Sequence, residues 1–234
     1  MISALLRTIR PRSGLYVVNE STLVADADVA TWTEACAAQL REDVAPAYRR
    51  KPVRVQFLSK ADHAPYGAWV LAVLDDADQA GALGYHSVDE HGRVYGRVFV
   101  KPCQQYDVVV STTLSHEVIE TYCDPGVDAW RNSGQGYEVP FEACDPVQSG
   151  SYLKNSVRVS DFVYPAWYQR GLSRGAQRNH LDSIEESFAI APGGYIVRRF
   201  PDGKEDQLFG AQANKAYIEA KTHPLSRTSR RRNV

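Results

Sequence analysis

The spacing of hydrophobic positions changes repeatedly along this 234-residue chain. Gly14-Leu15-Tyr16-Val17-Val18 is a short, largely apolar run and predicts a first strand. From Asp26 to Arg49, Val29, Trp32, Cys36, Leu40 and Val44 recur every three or four positions. That spacing predicts a helix with Asp26 or Asp28 as its N-cap and Pro46 near its end. Pro52 to Leu58 alternates apolar with polar residues, the pattern of a half-buried strand, whereas Ala68 to Leu74 is continuously apolar and reads as a central strand. After a turn-rich passage, Gly92 to Val100 alternates again with a glycine inside it, which predicts an edge strand. Val109, Leu114, Val118 and Ile119 then mark a helix from about Val108 to Tyr122, ended by Pro125-Gly126.

Beyond that helix the pattern becomes short strands and turns. Ser151-Tyr152-Leu153 and Val157-Arg158-Val159, joined through Lys154-Asn155-Ser156, predict one hairpin. Tyr195 to Phe200 and Gln207 to Phe209, joined through Pro201-Asp202-Gly203, predict a second. Ala211 to Lys221 reads as a short terminal helix, and no internal repeat is visible. This succession predicts the α+β class with a mixed sheet.

Composition changes the picture little. Hydrophobic residues at 44% and charged residues at 24% are ordinary for a globular chain and exclude a disordered or fibrous one. A net charge of −1 argues against a nucleic-acid binder or nuclease working through its whole surface. The charge is uneven, however: Arg7, Arg10 and Arg12 make the start basic, and Arg227 to Arg232 form a basic tail. Such a tail reads first as a solvated end; held in order, it suits an acidic surface of another subunit or nucleic acid and points to an assembly component. No apolar run approaches the roughly 20 residues that span a bilayer, and Met1 to Leu6 is too short for a secretory signal, so no membrane partner is expected. Cys36, Cys103, Cys123 and Cys144 lack C-x-x-C spacing. Buried thiols in a reducing cytoplasm are the default, with a Cys123–Cys144 disulfide or a soft metal ligand from this pair as the alternatives.

The chemistry lies in Ser115-His116-Glu117-Val118-Ile119-Glu120-Thr121-Tyr122-Cys123-Asp124-Pro125. Residues four apart share a helix face, so His116 and Glu120 can address one metal ion, and Glu117 lies where a base that activates water is needed. The pattern is H-E-x-x-H with glutamate at its last position. A third ligand has to come from elsewhere. The acidic segment Tyr137 to Pro146 is the richest source, with Glu138, Glu142 and Asp145 as candidates beside Asp124. Two carboxylates in place of imidazoles cancel the ion's charge, so Zn2+ comes first but Mn2+ or Fe2+ competes. His86, His91 and His180 read as turn residues. Tyr152, Tyr164 and Tyr168 read as packing residues that also have the chemistry to steady an oxyanion.

In its motif and order of elements the chain resembles the zincin metallopeptidases, in which the motif helix packs under a twisted sheet whose edge strand holds an extended peptide. It is also similar to a group of largely uncharacterised bacterial and phage proteins. These share the serine-histidine-glutamate helix ending in aspartate-proline, a segment like Glu142 to Pro146, and a stretch like Val159-Ser160-Asp161-Phe162…Pro165-Ala166-Trp167. The resemblance covers roughly Ala68 to Val197. It implies a zincin-like α+β domain over 1–170, followed by a hairpin, short helix and basic tail over 171–234 that can belong to the same domain. It also implies His116, Glu120 and Glu142 as metal ligands, Glu117 as general base, and a peptide or protein substrate lying along Gly92 to Val100. The expected function is that of a metal-dependent hydrolase, a peptidase first. The alternative is a non-catalytic virion or assembly component that keeps the same shell, placed in the virion rather than the cytoplasm if phage-encoded.

Overall fold

The structure, a computed structural model, describes residue 11, residues 13–173 and residues 175–211. The basic tail and most of the expected terminal helix lie outside them. The first half builds a five-stranded mixed sheet from β1 (Leu15–Asn19), β2 (Val55–Leu58), β3 (Trp69–Leu74), β4 (Gly84–Val88) and β5 (Val94–Phe99). The strand order is β2-β1-β3-β5-β4, parallel throughout except for β4, which runs antiparallel to β5.

Two helical segments cover one face. The first runs through α1 (Asp26–Gln39), a π-helical turn (Leu40–Val44) and α2 (Ala45–Ala47). Pro46 has no N–H to close an α-turn, and the wider π turn directly precedes it. Ala25 is the N-cap; Asp26 and Asp28 instead occupy the first turn, where their charge complements the helix dipole. The second segment is α4 (Val110–Cys123), preceded by the short α3 (Val100–Gln105). In α4 every residue except Val110 and His116 is buried. The helix is enclosed by β4 and β5, by α1, and by β9 of the hairpin β8 (Ser151–Lys154) and β9 (Val157–Ser160).

The expectation of Gly92–Val100 as an edge strand is corrected by this topology. β5 has β3 on one side and β4 on the other. The glycine that suggested an edge, Gly96, serves close packing: a Cβ there would stand 2.8 Å from Cγ of Leu71 on β3. The edge on that side of the sheet is β4, which sits inside the passage read as turns.

A second, antiparallel sheet joins β6 (Trp130–Asn132), β7 (Glu138–Pro140), β10 (Tyr195–Arg199) and β11 (Glu205–Phe209) in the order β11-β10-β7-β6. The late hairpin therefore pairs with the segment after α4. Ile184, Phe188 and Ile196 share a core with Leu15, Leu71, Leu114 and Val118. Among the described residues, no helix is long and apolar enough to cross a membrane.

Candidate metal centre

α4 is held in register by Ser115. Its hydroxyl donates to Gln39 Oε1 on α1 at 2.7 Å and accepts the Ser160 N–H of β9 at 2.9 Å. Gln39 Nε2 in turn donates to the Ser160 carbonyl at 2.8 Å. All three residues are buried, so a polar knot fixes the rotation of α4 and hence the direction of the next two side chains.

His116 Nε2 lies 3.1 Å from Glu120 Oε2, one helical turn on, and 3.4 Å from Asp145 Oδ1, brought in by the 3-10 turn Asp145–Val147. Cys144 closes the group from the side. Its N–H donates to Glu120 Oε1 at 3.0 Å, and its thiol reaches the His116 carbonyl at 3.9 Å. His116, Glu120 and Cys144 each present a ligand atom within 4.8 Å of the others. Two ligands at about 2.0–2.2 Å from a tetrahedral ion stand about 3.3–3.6 Å apart, so the spacing around His116 is close to that of a coordination sphere. The same spacing also suits an imidazolium held between two carboxylates. Burial opposes charge on His116, but Glu120, Asp145 and Glu117 together raise its pKa well above the ordinary histidine value. Burial raises the Glu120 carboxyl too, with His116 opposing and Asp145 and Glu142 adding to the rise.

A second group adjoins the first through Glu120. His86, Glu120 and Glu142 also present ligand atoms within 4.8 Å of one another. The expected third ligand, Glu142, thus meets Glu120 from the side of β4, with its Oε2 3.9 Å from His86 Nε2. His86 is not in a turn: it sits in β4 with no solvent exposure. Its Nε2 donates to the Asp124 carbonyl at 3.0 Å, since a carbonyl can only accept, and its Nδ1 lies 3.6 Å from Glu117 Oε2. Glu117 Oε2 is buried and accepts no hydrogen bond among the described residues. The carboxyl of Asp124 accepts the Ala129 N–H at 3.0 Å; burial and then Glu142 push its pKa up to about 6.

The other candidates fall elsewhere. Glu138 pairs with Arg199 at 2.6 Å, half exposed on the second sheet. Tyr152 donates to Asp43 and Tyr168 to the Glu142 carbonyl, while Tyr164 meets His180 Nδ1 at 3.2 Å. Cys123 and Cys144 are buried free thiols. His91 lies in an exposed turn, and His180 stacks on Phe162. Asp161, buried, accepts the N–H groups of Phe162 and Leu181 and the amide of Asn179, so this part of the Val159–Trp167 stretch is scaffold. The sequence around His86 carries little signal of its place: Gly84-Tyr85-His86-Ser87-Val88 has little apolar character and no clear apolar–polar alternation.

Comparison with models of known families, with curated proteins and with solved structures finds no match to this chain.

Proposed function

We propose that the protein is a metal-dependent hydrolase of zincin type, with His116 and Glu120 as ligands on α4, Asp145 as the third, and Glu117 as general base. The observation that carries this reading is Glu117 Oε2: a buried carboxylate oxygen without a hydrogen bond among the described residues, one residue from a histidine whose neighbours stand at ligand spacing. A divalent ion held there supplies Lewis acidity, polarising a carbonyl and making water more acidic. Glu117 takes the proton of the attacking water and passes it to the leaving amine. Also in favour is the packing of the motif helix α4 against β4 and β5 of the sheet, the placement expected from the likeness to zincins. The likeness to zincins makes a peptide bond the first substrate to test. An extended substrate would then follow β4, where Tyr85 and His86 are buried but Ser87 and Val88 are partly open.

Burial favours a second reading. Side chains of His116, Glu120, Asp145, Glu117 and Glu142 are at most 12% exposed, and closed metal sites are characteristically structural. In that case the centre stabilises a shell used in a larger assembly. Glu117→Gln separates the two. Hydrolysis of a peptide library by the metal-loaded wild type, lost in Glu117→Gln with metal content kept, supports the enzyme. Activity surviving in Glu117→Gln overturns Glu117 as the base. A loaded wild type that cleaves nothing favours the structural centre.

A further inference from the structure

The two faces of the five-stranded sheet differ. Trp69, Leu71 and Val73 of β3 are buried and share a core with Val29, Leu114 and Val118 of the helices. Side chains alternate along a strand, so Val70, Ala72 and Leu74 point the other way, and each is partly exposed. The register sets Tyr95 and Arg97 of β5 beside Val70 and Ala72 on that side. Val70, Ala72, Leu74 and Tyr95 line a groove of about 760 Å³ there. Four of the five strands are parallel, and parallel sheets are as a rule covered on both faces because their strands are apolar on both sides.

We propose that residues 1–10 of this chain dock in the groove as an amphipathic helix and close the open face of the sheet. Pattern, charge and tether select this occupant. Ile2, Leu5, Leu6 and Ile9 recur at the i, i+3, i+4 and i+7 spacing of one helical stripe, and Pro11 ends the helix before β1. The groove is net acidic: Glu20, Asp76, Asp78 and Asp89 stand against Arg93 and Arg97, even with Asp78 paired to Arg97 and Asp89 to Arg93. The segment is basic, with Arg7 and Arg10 and no acidic residue. The Gly14 carbonyl accepts the Trp69 N–H at 3.0 Å, so the chain enters β1 next to Ala68, which lines the groove. Ten residues of helix measure about 15 Å and the six residues of β3 span about 20 Å, so the segment fits along β3 after turning back through residues 11–13. This covering does not depend on the metal centre, which lies on the helix side of the sheet.

The test is thiol cross-linking in the full chain with an ethane-bridged bis-methanethiosulfonate, which joins thiols too far apart for a direct disulfide. Cys36, Cys103, Cys123 and Cys144 are buried, so the introduced cysteines react first. Leu5→Cys and Leu6→Cys, each combined with Ala72→Cys, give a cross-linked monomer whose bridge is located by peptide mapping. Ala4→Cys with Ala72→Cys, at the back of the same stripe, gives at least about tenfold less, because docking decides which face meets β3. Tyr95→Cys replaces Ala72→Cys if that variant folds poorly. Equal cross-linking from positions 4, 5 and 6 shows a segment that is tethered but not docked and overturns the proposal, as does its absence at both groove positions. A cross-linked dimer in place of the monomer gives the groove to the segment of a second copy and overturns docking within one chain.

Discussion

A Cβ added to Gly84 would lie 2.9 Å from Glu117 Oε1 and equally close to the Arg97 carbonyl, so the edge strand and the candidate base are in direct contact. That proximity ties β4, which has no strong sequence pattern of its own, to the motif helix. It also explains why glycine stands at the start of the strand: any side chain there displaces Glu117 or opens the β4–β5 ladder.

Gly84→Ala accordingly lowers stability by about 1–3 kcal/mol, the usual range for overpacking a close contact, because the Arg97 backbone cannot yield. Urea denaturation measures the loss. Where the variant still folds, its loss of hydrolysis exceeds its loss of bound metal, because Glu117 moves and His116 does not.

Ser115→Ala removes the hydroxyl that joins Gln39 to Ser160, leaving a buried amide oxygen and a buried N–H without their partner. The expected loss is about 1–3 kcal/mol for each stranded group. Ser115→Thr, which restores a hydroxyl but adds a methyl in a packed site, recovers part of it. Equal stability of the alanine variant and the wild type contradicts the role of this knot in holding α4.

Much of this architecture is legible in the residues. The apolar runs at β1 and β3, the period of α1 and α4, and both hairpins carry their own signals, because each buries a regular face or turns through Asn155-Ser156 or Pro201-Asp202-Gly203. What stays hidden is set by neighbours far along the chain. Gly96 reads as an edge glycine until Leu71 is seen against it, and His86 reads as a turn residue until Glu117 and Glu142 surround it. Of the acidic residues after α4, sequence spacing cannot separate Asp145, which meets His116, from Glu142, which meets His86; the bend at Asp145–Val147 decides it.

Asp161→Ala distinguishes scaffold from ligand. Asp161 accepts three N–H groups from within the same region, and its loss destabilises the fold by at least about 3 kcal/mol. Metal content of the folded variant stays at the wild-type level. A selective loss of metal without a loss of stability contradicts the assignment.

Cys36 and Cys103, two buried thiols outside the candidate ligand groups, provide a pH test. Burial pushes Cys36 up to about 12 and Cys103 up to about 11, so both stay protonated in the folded chain well beyond the ordinary thiol value of about 8.5. Their contribution to stability is complete below about pH 8.5, where the unfolded thiols are also neutral. It is lost as pH rises from there through about 11 and 12. Alkylation at pH 8.5 followed by peptide mapping leaves Cys36 and Cys103 unmodified in the native protein and modifies both in denaturant. Ready modification of either in the native state contradicts their burial.

The measurement closest to the central claim is the zinc content of the folded wild type compared with Glu120→Ala, after exhaustive dialysis against trace-metal-free buffer. Stoichiometric zinc in the wild type and its loss from a still-folded Glu120→Ala is the predicted result. A folded wild type that retains no zinc, or a Glu120→Ala variant that retains all of it, contradicts the account.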